Sequence, residues 1–307
     1  MPKKISIVIP VCNEKGNIPT MITALQEVML PLPYTYAIIY VDDGSDDDTL
    51  DRIKVFAKQF DNIFFISFSR NFGHQNALKA GFDFSDGDAV ITMDGDLQHP
   101  PELIPVLIDE WEKGNDIVYT IRNDHQDMPL MKRKTSTIFY NLINRLSDIE
   151  LESGTADFRL MDKKVVEIFR NFKEADLFWR GLVKWLGFKQ LGIEYQPAER
   201  KEGKSKYTYK KMMQLALRGI TSFSLKPLAV ATYLGFTFSI LSLFYIPYVL
   251  FSLWHGHTIS GWASMIVTIA FFGGLQLMIL GIIGMYLGKL FMQSKERPHY
   301  IIKESNL

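Results

Sequence analysis

Up to about Lys206 the chain alternates short apolar runs with stretches whose apolar residues recur at helical spacing. Ile5 to Val11 reads as a strand, and Ile18 to Met29 as a helix with one apolar face. "YAIIYVDDGS" predicts a strand ending in acids, followed by a helix through Phe60. "NIFFISFS" predicts a third strand and Gln75 to Phe84 a helix. "VITMDGDLQHPPEL" is a fourth strand running straight into two carboxylates, with Glu102 to Lys113 as its helix. "DIVYTIR" is a fifth. Strands alternating with helices predict an α/β fold: a doubly wound, Rossmann-like, mostly parallel sheet with helices on both faces.

Beyond Arg122 the pattern turns to mixed α and β. Met131 to Leu146 carries Ile138, Phe139, Leu142, Ile143 and Leu146 on one helical face, after the basic cluster Lys132, Arg133 and Lys134. Tyr207 to Phe223 has a second apolar stripe, including Met212, Met213 and Ile220, with Lys206, Lys210, Lys211 and Arg218 on its other side. A basic amphipathic helix just before an apolar span is expected to lie in a membrane interface. The competing reading is an ordinary helix packed on the domain.

Two apolar runs follow, Leu228 to Leu253 and Trp262 to Leu287, separated by "WHGHTISGW". Each exceeds the roughly 20 residues that cross a bilayer core of about 30 Å. Lys289 is the one formally charged side chain between Leu228 and Leu290, although charged residues make up 22% of the chain. Buried core helices seldom stay uncharged for so long, and Trp254 and Trp262 stand where interfacial aromatics belong. Two transmembrane helices are therefore expected. The connecting loop lacks Lys and Arg, whereas Lys226 precedes the first span and Lys289, Lys295 and Arg297 end the second. The positive-inside rule puts both termini in the cytoplasm. The expected organisation is an α/β domain over residues 1–206, an amphipathic segment over 207–226, spans over 227–253 and 262–290, an external loop over 254–261, and a cytoplasmic tail over 291–307. "MPKKISIVIPV" is too short an apolar run for a signal peptide.

Composition adds little. Lys and Arg total 34, as do Asp and Glu, so net charge points to no partner and no nucleic acid is expected. Cys12 is the only cysteine, which excludes an intramolecular disulfide and a cysteine metal cluster.

The chemistry lies in the acids. "VDDGSDD" and "MDGD" end neighbouring strands, and carboxylates at strand C-termini fall in the crevice of an open α/β sheet. Asp94 and Asp96, one residue apart, would repel each other or share a cation. No GxGxxG or GxxxxGK[ST] loop is present, so dinucleotide and P-loop readings lose their main support. Carboxylates without thiols suit Mg²⁺ or Mn²⁺ shared with substrate phosphates. An Asp-Gly-Asp turn by itself is often only a solvated loop.

It does not stand by itself. "PVCNEKGNI", "VDDGSDDDT", "SRNFGHQNALKAGF", "DGDLQHPPEL", "GTADFRLM" and "ERKEGKSKY" follow in that order. With these six motifs the chain resembles the family 2 glycosyltransferases of GT-A fold, specifically the polyprenyl-phosphate glycosyltransferases, over nearly its whole length. Bactoprenol glucosyltransferases and dolichyl-phosphate mannose synthases belong to that group. The resemblance implies that Pro10, Asn13, Glu14 and Asp43 line the base and ribose site of a nucleotide sugar. It makes Asp94 and Asp96 the metal pair, with Asp96 the more direct ligand and Gln98 close to the metal and diphosphate. It makes Asp157 the acid proposed as catalytic base, and sets Arg200 and Lys206 near the phosphates. Cys12 departs from the family, which often has an aromatic residue there.

Several of these residues have plainer readings. Glu14 suits a helix N-terminus; Arg70 and His74 read as loop scaffolding; Arg159 pairs with Asp157; Lys204 is solvated charge. Arg122, Lys132, Arg200 and Lys206 are harder to dismiss as cations for an acceptor phosphate. A diphosphate and a second phosphate in one cleft would repel strongly without cations between them.

The implied reaction is inverting transfer of a hexose from a nucleotide sugar to a polyprenyl phosphate. Glucose from UDP-glucose and undecaprenyl phosphate lead; GDP-mannose or a UDP-linked amino sugar come second. A monoalkyl phosphate has a second pKa of about 6 and needs little help from a base, so an orienting role for Asp157 stands beside the base role. The implied setting is the cytoplasmic face of the inner membrane, and a homo-oligomer is left open. A flippase is disfavoured because the spans carry no Asp, Glu or Arg. A processive synthase is disfavoured because "FWRGLVKW" is a poor QxxRW. A catalytically dead sensor of nucleotide sugars is disfavoured by the intact acid pair.

Overall fold

A computed structural model describes residues 2–123, 152, 154–174, 177–196, 221, 224–255 and 261–307. The expected helices at Met131 to Leu146 and Tyr207 to Phe223 fall outside these residues apart from Thr221, as do Lys132, Arg200, Lys204 and Lys206.

One mixed sheet of eight strands organises the domain. In chain order the first elements are β1 (Lys4–Val11), α1 (Ile18–Met29), β2 (Thr35–Asp42), α2 (Thr49–Gln59), β3 (Ile63–Phe68), α3 (His74–Phe84) and β4 (Ala89–Thr92). A short 3₁₀ turn, Pro101–Leu103, leads into α4 (Ile104–Glu112) and β5 (Ile117–Arg122). Then come β6 (Thr155–Asp162), α5 (Lys163–Arg170), α6 (Trp179–Trp185) and β7 (Gln190–Tyr195). The apolar helices α7 (Lys226–Trp254) and α8 (Trp262–Ser294) precede β8 (Ile302–Ser305).

The strand order is β7-β5-β6-β4-β1-β2-β3-β8. Strands β4, β1, β2 and β3 are mutually parallel, and their unbroken apolar runs fit burial on both faces. Ile5, Ile7 and Ile9 of β1 face one apolar cluster together with α1, while Val8 faces a second cluster under α3. The chain steps outward from β1 to β3 and then returns to lay β4 on the other side of β1. That reversal opens a crevice beyond the C-terminal ends of β1 and β4, where ligands bind in open α/β sheets.

Strand β6 was not expected. It runs antiparallel between β4 and β5 and pairs with both. Strand β8 closes the other edge, antiparallel to β3. There Tyr300 stacks on Phe68 with centroids 5.1 Å apart, its hydroxyl donates to Asp83 at 2.8 Å, and Lys54 pairs with Glu304 at 2.7 Å. The segment after α8 is thus part of the catalytic sheet.

Helices α7 and α8 are long and apolar enough to cross a membrane. They touch through Phe238 against Phe271 and Phe272, at 5.7 and 5.6 Å, while Phe236, Leu241, Ile266 and Leu277 stay exposed. Apolar surface on this scale needs a covering other than water.

Candidate active site

The crevice encloses about 430 Å³. Three strand ends build it: Pro10, Val11, Cys12 and Glu14 at the end of β1, Asp43 after β2, and Asp94 to Asp96 after β4; Asn13 is not in the lining. Residues His74 and Gln75 at the start of α3, Asp157 of β6, and Leu177, Phe178 and Arg180 complete the wall.

Backbone geometry makes the acidic loops possible. Gly44 follows Asp43 with φ +66, and a Cβ there would lie 2.5 Å from the Arg70 backbone, so only glycine fits. Asp42 is spent on the fold, accepting from Ser67 Oγ at 2.8 Å and Ser45 N at 3.1 Å. Asp43 lines the crevice while its Oδ1 accepts from Phe72 N at 2.7 Å and Gly73 N at 3.1 Å. Burial raises its pKa, against the pull of those two N–H groups. Asn13 adopts φ 58 and its Oδ1 accepts from Asp46 N at 2.9 Å, bracing one loop on the other. Glu14 Oε2 accepts from Asn17 Nδ2 at 2.6 Å, and Cys12 Sγ accepts from Asn71 Nδ2 at 3.3 Å.

Asp94 is gripped by two histidines. His74 Nε2 lies 2.9 Å from its Oδ1, and His99 Nε2 lies 3.6 Å from its Oδ2. His99 Nδ1 accepts from the Asp94 backbone N–H at 2.9 Å, which leaves the ring proton on Nε2 toward the carboxylate. Burial opposes ionisation of Asp94, yet His99 and then His74 outweigh it and hold its pKa well below the usual range. Burial likewise pulls His74 down, but its bond to Asp94 wins and the pKa rises. His74 is therefore a wall of the site and not the loop scaffold expected from sequence. Arg70 is nearer that expectation, lying 4.1 Å over the Phe72 ring.

Asp96 Oδ1 accepts from Gln98 N at 3.1 Å, and Gln98 Oε1 accepts from Arg122 Nη1 at 3.0 Å. One chain of contacts thus ties Arg122, at the end of β5, to the acid loop after β4.

Asp157 arrives by way of β6. Thr92 pairs with Arg159 in that antiparallel ladder, so two steps further Asp157 comes level with Asp94. Its Oδ1 accepts from Arg159 Nη2 at 3.0 Å, and its Oδ2 from Arg180 Nη2 at 3.0 Å. Burial would raise its pKa, but Arg180 and Arg159 hold it far below the ordinary carboxylate range. An acid so firmly ionised is a weak proton acceptor. Arg180, absent from the sequence candidates, is set in place by α3. Gln75 Oε1 accepts from Trp179 N at 3.1 Å, and the Trp179 indole donates to the Gln75 carbonyl at 2.8 Å.

The described wall carries the carboxylates of Glu14, Asp43, Asp94, Asp96 and Asp157 against the guanidinium of Arg180 and the imidazole of His74. Such a cleft would repel a diphosphate unless a cation came with it. Asp94 and Asp96 offer the oxygen ligands that a hard divalent ion takes. Among the described residues no group of three or more His, Cys, Asp or Glu is arranged to hold a metal. Substrate oxygens and water would have to complete the shell, as Mg²⁺ commonly requires. The donor set fits the ion.

The chain is similar to known proteins over most of its length. The family model "Glycosyl transferase family 2" matches residues 6–169, from β1 to α5. The uncharacterized glycosyltransferase YkcC of Bacillus subtilis is 42% identical over 301 residues, covering 98% of this chain and 93% of its own. The bactoprenol glucosyl transferase of Shigella phage SfV is 42% identical over 301 residues, covering 98% of each chain. Among solved structures, mannosyl-3-phosphoglycerate synthase from Rubrobacter xylanophilus superposes with TM-score 0.50 at 15% identity over 72% of this chain and 73% of its own, a likeness of fold. With the family model over more than half the chain and these relatives over nearly all of it, the chain belongs to glycosyl transferase family 2, and it is a glycosyltransferase.

Proposed function

We propose that this protein transfers a hexose, glucose from UDP-glucose, to the phosphate of undecaprenyl phosphate at the cytoplasmic face of the inner membrane. The observation that carries the reading is the union of a nucleotide-type crevice with two exposed apolar helices. Strand β8, directly after α8, is hydrogen-bonded into the same sheet that bears the crevice. The relatives named for bactoprenol glucosyl transfer, at 40–42% identity, support the acceptor and the sugar.

In this reading an oxygen of the lipid phosphate attacks the anomeric carbon. The carbon–oxygen bond to the nucleoside diphosphate breaks in line, and the anomeric centre inverts. Asp96, seconded by Asp94, holds Mg²⁺ or Mn²⁺, which when bound offsets the charge of the leaving diphosphate. Gln98 and Arg122 hold the Asp96 loop from behind. Pro10 and Glu14 border the nucleotide, while Asn13 and Asp43 shape its loops through their backbone bonds. Asp157 stays ionised and aims Arg180 at a phosphate, which makes it a positioning acid and not a base. Lys132, Arg200 and Lys206 supply further cations toward the acceptor. The lipid phosphate, already largely ionised near neutral pH, needs no base.

Connectivity supports the orientation. The chain leaves the sheet before α7 and rejoins it after α8 as β8, which suits one crossing out and one back. The positive-inside rule then assigns the sheet side to the cytoplasm.

The donor is tested by offering the purified chain UDP-glucose, GDP-mannose and a UDP-linked amino sugar with undecaprenyl phosphate and Mg²⁺ or Mn²⁺. UDP-glucose should give the fastest glycolipid formation. A faster reaction with either rival would replace the sugar while leaving the reaction class intact.

A further inference from the structure

Trp111 and Trp179 are buried in the catalytic domain at 7% and 2% exposure, whereas Trp185, at the end of α6, is 63% exposed. A lone exposed apolar ring is ordinary. Trp185 is not alone. Its ring packs edge-on against Phe172 at 6.3 Å, and exposed Ile168 lies one turn before Phe172 in the chain. The same loop is fastened to α8. Gln293 Nε2 donates to the Lys173 carbonyl at 2.8 Å, and His299, just past the helix, bonds the backbone of Phe172.

These contacts fix the depth of the patch. Tyr286 Oη of α8 donates to the Ser224 carbonyl at 2.7 Å, two residues before α7 begins, so the two helices reach the sheet side together. The first charges there are Lys226 and Lys289. Gln293 stands four residues beyond Lys289, about 6 Å at the helical rise of 1.5 Å per residue. A headgroup layer is about 5–7 Å thick on each side of the hydrocarbon. Leu290, Phe291 and Met292 remain apolar and exposed along this stretch, and Lys295 folds over the Phe291 ring at 4.2 Å. Such a depth is where tryptophan and snorkelling lysine gather.

We propose that the Phe172–Trp185 face of the catalytic domain is a second membrane contact, which seats Trp185 among lipid headgroups beside α8 and favours anionic lipid. Lys173, the sequence neighbour of Phe172, and Lys295 and Arg297 after α8 supply the matching charge. The contact would hold the domain against the bilayer on the α8 side, so that a lipid phosphate meets the crevice without the domain having to swing. The inference rests on α7 and α8 spanning the bilayer.

The full chain is reconstituted into vesicles of phosphatidylcholine and phosphatidylglycerol whose acyl chains carry bromine near the headgroup. Subtracting the emission of the Trp185→Phe variant isolates Trp185, and Trp254→Phe isolates Trp254 in the same way. Trp185 emission should be blue-shifted, lose most of its intensity to the brominated lipid, and resist acrylamide in the water. Emission quenched by acrylamide and untouched by bromine, with Trp254 still quenched by lipid, would overturn the proposal while leaving the spans in place. Resistance to both quenchers would also overturn it, because a second protein copy would then cover the ring. If neither tryptophan met the brominated lipid, the membrane reading itself would fall.

Discussion

Arg180 grips Asp157 at two points, with Nη2 3.0 Å from Oδ2 and Nε 3.3 Å from Oδ1. Arg159 holds the same carboxylate from behind, so one acid sits between two guanidinium groups. An acid placed this way keeps its charge, which suits it to hold cations and makes it a weak proton acceptor.

The pH dependence follows. Asp157 is held well below the ordinary carboxylate range, so it stays ionised from mildly acidic pH upward. Its stabilisation is complete above the unfolded value of about 3.9 and is lost as pH falls through the lower folded value. The rate of transfer should therefore show no limb near neutral pH that Asp157→Glu displaces. A pH–rate profile with such a limb would restore the base role.

Removing the charge should damage the fold as well as the rate. Asp157→Asn leaves buried Arg159 without its charged partner, and breaking a buried ion pair costs about 3–5 kcal/mol. Thermal unfolding in detergent should show the loss, whereas Arg180→Gln, at a more exposed position, should cost less stability and mainly slow transfer. Equal destabilisation by both would mean that Arg180 is structural.

Half of this site could be read from the residues and half could not. The parallel strands β1 to β4 are continuous apolar runs bounded by turns, and their acidic ends follow from the strand-then-Asp pattern, so Asp94, Asp96 and Asp43 were visible. Strand β6 carries Asp157 and Arg159 among apolar residues without clean alternation, and its antiparallel place between β4 and β5 depends on partners distant in the chain. β8 pairs with a strand more than 230 residues earlier, which no local pattern announces. Arg180 and the His74–Asp94 bond depend on how α3 meets the start of α6, a packing contact with no sequence signature beyond the charged residues themselves.

The donor and acceptor charges should separate by mutation. Asp96→Asn should remove metal-dependent UDP binding, measured by calorimetry with Mn²⁺, and abolish transfer with it. Lys206→Ala should cut transfer and leave that binding nearly unchanged. If Lys206→Ala weakened UDP binding as severely, Lys206 would belong with the leaving group.

The tail should matter for stability and not for chemistry. Tyr300→Ala removes the stack on Phe68 and the bond to Asp83, a loss of about 2–4 kcal/mol for a half-buried aromatic side chain. The melting temperature should fall while UDP affinity of the folded protein holds. An unchanged melting temperature would show that β8 contributes nothing to the sheet.

The most direct measurement is transfer itself. The purified full chain, in detergent with undecaprenyl phosphate, a divalent metal and radiolabelled UDP-glucose, should move label into an organic-soluble, acid-labile lipid, releasing one UDP for each sugar transferred. Asp96→Asn, prepared in parallel, should leave the label in the aqueous phase. Hydrolysis of the donor without labelled lipid, across every nucleotide sugar tried and with intact polyprenyl phosphate present, would contradict the account.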